Sequence, residues 1–520
     1  MRPFALLALA AASFSGSAFA FQPALDGVNT LPRYPTAVTT VNKAVVLAEA
    51  RKGRPLQFAV GAPLQVRLEQ GQWQDSNGLS RWRVRVASAQ ALSLNLVFSQ
   101  FHLPEGAELW LYDPSGQSLA GPYTSANHTP EGKLWTGLVQ GAEAIIELQV
   151  PSAQKDQVRL ELESVNHGFK DFFSGASPAK ANKTDDSDTQ TTSAKASGTC
   201  NIDVVCPAGD PWRNEIRSVA RIAVGGQFAC TGSLVNNVRQ NDDPLFLTAN
   251  HCLIGQTSTT PASSVVFYWN FQTATCGGAR TGNVNSSTQS QTGSTLLAGD
   301  SGSDFTLVRL NQSPISTFNV YYAGWNASSS TPNSGMSVHH PQGEEKRIAI
   351  FNQPAVRDVI SLGAGRTVAT WRVNWLQGTT EQGSSGGGLW NQNRQIVGVL
   401  SGGDAACSNS NPNQNNGLND FYGRLESAWQ ASSASSGQLK AWLDPTNTGT
   451  LSLCGKNPGG TACNGAPAGS VTPPGGGTPT NPSSGGVSGG GGGAFGAVWG
   501  LLLLAGLGRS RKALSWIMKR

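Results

Sequence analysis

No cysteine precedes position 200 in this chain, although eight occur in all: Cys200, Cys206, Cys230, Cys252, Cys276, Cys407, Cys454 and Cys463. The first 199 residues therefore have no disulfide framework. Charge is also scarce. Asp, Glu, Lys and Arg make up 13% of the chain, the formal net charge is +5, and no Lys/Arg block sits in the middle. That argues against a nucleic-acid binder. No cluster of metal-ligand side chains supports a metal hydrolase, and no loop demands calcium, so no cofactor is implied. What is present fits a globular protein. The 520 residues suggest two to four units, and 38% hydrophobic content can build real cores. Gly 62, with many Ser, Thr and Asn, points to turn-rich β structure.

The chain divides by composition. Residues 1–20 read as a signal peptide, with Arg2 at the charged start and Ala18-Phe19-Ala20 at the cleavage site. Residues 21–170 alternate, as in Trp82-Arg83-Val84-Arg85-Val86 and Val158-Arg159-Leu160-Glu161-Leu162-Glu163. Period-two patterning predicts half-buried antiparallel strands. From about 171 to 199 the chain becomes a solvated linker whose large apolar side chains stop at Phe173. Residues 200–455 carry most of the cysteines and short strands between Gly, Asn and Ser. Residues 456–493 form a Gly/Pro/Ser-rich tether. Residues 494–520 hold an apolar run and then Arg509, Arg511 and Lys512, which reads as a sorting or anchor segment with a basic end.

The third block holds parts for serine-based peptide hydrolysis: a hydroxyl nucleophile, an imidazole base, an orienting carboxylate and oxyanion donors. Leu247-Thr248-Ala249-Asn250-His251-Cys252 places a histidine after a strand-like run. Ser303-Asp304-Phe305-Thr306-Leu307-Val308 places a carboxylate before an alternating strand, with Asp300 as the competitor. In Gln382-Gly383-Ser384-Ser385-Gly386-Gly387-Gly388, small residues flank a serine and a strand follows at Gln395-Ile396-Val397. His339-His340 invites a metal reading, but neighbours on a strand point to opposite faces.

In this order the three motifs resemble the chymotrypsin-like serine proteases. The resemblance implies a double β-barrel, with His251 as general base, Asp304 as orienting carboxylate and Ser385 as nucleophile. The N–H groups of Gly383 and Ser385 would form the oxyanion hole. A narrower likeness, to the bacterial lysyl endopeptidases, lies in Cys200-Asn201-Ile202-Asp203-Val204-Val205-Cys206-Pro207, Cys230-Thr231-Gly232-Ser233, Tyr268-Trp269-Asn270, His339-His340-Pro341 and Trp442-Leu443-Asp444-Pro445. Spacing alone leaves on the order of 100 cysteine pairings open. The resemblance implies Cys200–Cys407, Cys206–Cys276 and Cys230–Cys252, and leaves Cys454 and Cys463 to close a small loop. It also implies that Asp420, in Asn419-Asp420-Phe421-Tyr422-Gly423-Arg424, neutralises a substrate lysine, with Gly402 and Gly403 forming the open wall of the site.

The expected protein is thus all-β: a chymotrypsin-like protease domain (196–455) preceded by a β-rich propeptide (21–195). The resemblance implies a serine endopeptidase cutting after lysine, with cleavage after both Lys and Arg, or an inactive surface-tethered binding protein, as alternatives. Ser401 stands where the lysyl endopeptidases place a histidine beside the match to Trp375. Ser384 stands where chymotrypsin has an aspartate that captures the new N-terminus. Lys195 and Ala196 flank the expected autolytic cut, five residues before Cys200. Gly489 to Gly493 before the apolar run resemble bacterial tails removed by rhomboid-type proteases. The expected partners are protein and peptide substrates, the chain's own propeptide, signal peptidase and a rhomboid-type sorting protease. The chain is expected to act as a monomer, secreted or at the cell surface after transient membrane retention.

Overall fold

A computed structural model describes residues 21–37, 55–170, 172, 197–253, 262–278, 289–363 and 366–462. The expected signal peptide, the Lys195–Ala196 bond, Cys463 and the tether and tail after it lie outside the described residues. Among the described residues no helix is long and apolar enough to cross a membrane.

The N-terminal unit is a sandwich of two sheets. One is built around Leu79–Ala87 and Glu143–Pro151, the other around Ser93–His102 and Arg159–Gly168. Alternation explains the core. Trp82, Val84 and Val86 point inward and meet Leu94, Leu96, Leu111 and Ile146 from both sheets. The outer face departs from a half-buried sheet. Arg83 is buried because residues 21–31 cross that face, and its guanidinium donates to the carbonyls of Ala24 and Asp26 at 2.7 and 2.9 Å. Val28 and Leu31 then pack on Tyr112 and Ile145. Arg33–Pro35 runs parallel to Arg85–Ala87, while the neighbouring pairs are antiparallel.

The C-terminal unit contains seven strands of an eight-stranded sheet, whose eighth strand is Leu56–Gln57 of the N-terminal unit, and a ten-stranded sheet. In the first, Val219–Val224, Phe228–Val235, Leu245–Ala249 and Phe305–Leu310 are successive neighbours. In the second, Gly388–Asn391, Gln395–Gly403, Asn419–Arg424 and Arg366–Asn374 are. Each sheet encloses its own apolar cluster, around Ile222, Phe246 and Phe267 in one and Trp371, Val397 and Leu400 in the other. A third cluster joins them, with Leu247 and Leu307 against Val338, Ile348 and Trp390. Three disulfides brace this unit: Cys200–Cys407, Cys206–Cys276 and Cys230–Cys252. Cys454 is also disulfide-bonded. The linker expected up to 199 ends earlier than its composition suggests. Ser197 is buried, and its N–H and hydroxyl both donate to Glu344 Oε2, at 3.0 and 2.7 Å.

Candidate active site

Strand pairing brings His251 and Asp304 together. Ala249 lies opposite Phe305 in an antiparallel pair, so the residues just after one strand and just before the other emerge at the same end. Asn250–Leu253 turns there into a single helical turn. Its Asn250 N–H donates to the Asp304 carbonyl at 2.9 Å, and the His251 N–H to Asp304 Oδ1 at 3.0 Å. The His251 ring meets Asp304 Oδ2 through Nδ1 at 2.9 Å, with both side chains at most 1% exposed. That contact leaves Nε2 as the other ring nitrogen, buried and without a hydrogen-bond partner among the described residues. Asp304 adopts φ 52°, a left-handed conformation that costs least for Asp, Asn and Gly. Asp300 is elsewhere: its Oδ2 accepts from Ser303 N–H and Oγ at 2.7 and 2.6 Å, closing a turn.

The Ser385 loop is fixed from both sheets. Its carbonyl accepts from the Thr231 N–H at 2.8 Å, and the Gly386 N–H donates to the Leu400 carbonyl at 3.0 Å. The Thr231 hydroxyl donates to the Gly383 carbonyl at 3.0 Å, which sets the orientation of that peptide. Gly383 has φ 93°, and a Cβ there would lie 2.6 Å from the Gly343 nitrogen. Both the torsion and the close approach require glycine. Ser384 turns inward, its Oγ 2.8 Å from His339 Nδ1 while accepting from the Glu381 N–H at 3.1 Å. His340 instead donates from Nδ1 to the Glu344 carbonyl at 2.8 Å, so the two adjacent imidazoles serve separate partners.

Asp420 is fully buried in Asn419–Arg424. Its Oδ2 accepts from Trp375 Nε1 and from Thr380 Oγ1, each at 2.7 Å. Gly403 pairs directly with Asp420, and Gly402 with Phe421. A Cβ on Gly403 would lie 2.6 Å from Asp420 Cα, so only glycine lets the two strands approach here. Trp375 and Thr380 were not identified as carboxylate partners by the motifs, since they lie 45 and 40 residues away in sequence. Glu381 was likewise missed. It accepts from Gly198 N–H and Asn201 Nδ2, each at 2.7 Å, and from Gln342 Nε2 at 3.0 Å.

Two barrel-like sheets with a histidine–carboxylate pair and a serine loop at their junction define a chymotrypsin-type serine endopeptidase, a hydrolase. The family model for the lysyl endopeptidase C-terminal domain matches residues 194–423, and that for the lysyl endopeptidase N-terminal domain matches 30–169. The chain belongs to the lysyl endopeptidase family. A lysyl endopeptidase of Pseudomonas aeruginosa is 29% identical over 422 residues, covering 74% of this chain and 82% of that protein. Among solved structures, a Glu endopeptidase is 18% identical, with a TM-score of 0.27 over 44% of this chain and 91% of its own. The active form of Rv3671c protease from M. tuberculosis is 17% identical, with a TM-score of 0.29 over 49% and 95%.

Proposed function

We propose that this protein is a secreted endopeptidase that cuts on the carboxyl side of lysine and matures by cutting its own precursor between Lys195 and Ala196. Ser385 Oγ attacks the scissile carbonyl. His251 Nε2 takes the hydroxyl proton and returns it to the leaving amine. Asp304 holds the ring in the tautomer with Nδ1–H and stabilises the imidazolium. The Gly383 and Ser385 N–H groups receive the oxyanion. Water then repeats the sequence on the acyl-enzyme. Asp420 faces the substrate ammonium, with Gly402 and Gly403 beside the substrate backbone.

The observation that carries the lysine reading is the bracing of Asp420: a carboxylate with no exposure, held at one oxygen by Trp375 and Thr380. A buried carboxylate suits a cation that arrives on a long apolar stem, because each charge compensates the desolvation of the other. Export through the 1–20 signal peptide, and retention and release through the 494–520 tail by a rhomboid-type protease, complete the proposal.

The test is cleavage of matched peptides with Lys, Arg or Leu before the scissile bond, by wild type and Ser385→Ala. Lysine cleavage that disappears in the variant supports the reading. Equal Lys and Arg cleavage moves the enzyme to a broader basic specificity. No cleavage by processed wild type contradicts it. N-terminal sequencing of the mature enzyme checks the processing site, with Ala196 as the expected first residue.

A further inference from the structure

One edge of the Phe228–Val235 strand is shared by three pieces of chain. Its opposite edge is taken by Val219–Val224. On the shared edge, Ser233, Leu234 and Val235 pair with Leu247, Phe246 and Leu245. The Thr231 N–H then donates to the Ser385 carbonyl at 2.8 Å. Beyond it, Ala229 and Phe228 pair antiparallel with Leu56 and Gln57 of the N-terminal unit. Leu56 therefore joins the edge two residues beyond the point where the serine loop is bonded, about 7 Å along the strand.

Side-chain contacts hold this segment in place. Gln382, which precedes Gly383, donates from Nε2 to the Pro55 carbonyl at 3.4 Å. The Phe58 N–H donates to the Gln227 carbonyl at 2.9 Å. Leu56 and Phe58 are 6% and 1% exposed, in an apolar cluster with Ala229, Val266, Phe271 and Phe172. Leu56 also packs beside Gly343, the residue whose nitrogen lies against Gly383.

Chain direction decides what this segment imitates. Leu56 pairs with Ala229, nearer the serine loop, and Gln57 with Phe228, farther away. Rising residue number thus leads away from Ser385. In a peptide undergoing hydrolysis, the part that runs away from the nucleophile toward its own C-terminus is the leaving half. We propose that residues 55–57 occupy the leaving-group side of the substrate cleft as a built-in pseudosubstrate. This rests on Ser385 being the nucleophile.

Pro55 explains why such a segment would bind without being cut. Its nitrogen carries no hydrogen, and its ring crowds the preceding residue. Arg54 precedes it in the sequence and lies outside the described residues.

The experiment uses the full precursor carrying both Arg54→Lys and Pro55→Ala, which turns the segment into a cleavable lysyl site. Mass spectrometry should find a new cut between residues 54 and 55, absent from wild type and from the same variant with Ser385→Ala. An uncut variant whose preparation still cleaves a small lysyl peptide overturns the pseudosubstrate alone. Mature wild-type enzyme, freed of residues 55–57, that is inactive on that peptide brings down the Ser385 reading and this proposal together. If the variant precursor does not fold, a synthetic peptide of residues 53–60, which holds no lysine, added to wild-type mature enzyme decides. At millimolar concentration it should raise KM several-fold at unchanged kcat and be recovered intact. An unchanged KM overturns the proposal.

Discussion

The N-terminal and catalytic units are both β structures, but they use buried charge differently. In the N-terminal sandwich the core between the sheets is apolar, and Arg83 and Glu147 lie on an outer face covered by the first described residues. In the catalytic unit, charge is buried around the loops that carry the site. Arg221 donates to the Gly343 carbonyl at 3.1 Å and stacks on Phe172, Tyr268 and Phe271. Burial pushes its pKa down to about 10. Lys346 donates to the Ile216 carbonyl at 2.8 Å. Glu344 and Glu381 hold the segment before Cys200. Apolar alternation suffices to close a sandwich. Loops that must keep fixed positions without strand pairing use charge-assisted hydrogen bonds, which are directional and costly to leave unmade.

If this contrast is right, substitutions of buried charge in the catalytic unit should change activity more than fold. The largest effect is expected for Asp304→Asn, which should lower kcat by about 10⁴-fold at unchanged Tm because the His251 ring loses its tautomer partner. A loss under tenfold, measured with a lysyl peptide, would break the comparison. Asp420→Asn is next. Leaving a substrate ammonium without its charge partner costs about 3–4 kcal/mol, so kcat/KM for Lys peptides should fall by about 10²- to 10³-fold with far less change for Leu peptides.

A smaller loss sharpens the role of the braces. Thr380→Val removes one donor to Asp420 and should lower kcat/KM for lysine by about tenfold, at about 1.5 kcal/mol for a bond to a charged acceptor. An equal loss on Leu peptides would assign Thr380 to general stability instead. The smallest effect concerns pH. Burial lowers the Lys346 pKa from 10.5 to about 7. Between those values the unfolded chain binds more protons at this group, so it makes stability rise with pH across the window and contributes no slope below about pH 7. Lys346→Met should reduce the slope of unfolding free energy by up to about 1.4 kcal/mol per pH unit there. Denaturant titrations at several pH values check this, and parallel curves would contradict it.

The sandwich strands were legible because alternation reports which face is apolar. Trp82, Val84 and Val86 face the core on that pattern. The burial of Arg83 was not legible, since what covers it is a segment about 55–60 residues earlier with no strand pattern. The His251 and Asp304 motifs could be placed because each abuts a strand, and pairing of adjacent strands then brings them together. Choosing Asp304 over Asp300 rested on the same anchoring, and Asp300 closes its own turn instead. The bracing of Asp420 joins positions that only the folded sheet makes neighbours. Leu56–Gln57 is two residues long, too short to carry any period, yet it enters the catalytic sheet.

The most direct test of the central claim is labelling of the mature enzyme with a phosphonate ester bearing a lysine side chain, followed by peptide mapping. The account predicts one adduct, on Ser385, formed much faster than with the leucine analogue and slowed severely by Asp420→Asn. An adduct on another residue, or equal rates for the lysine and leucine reagents, would contradict it.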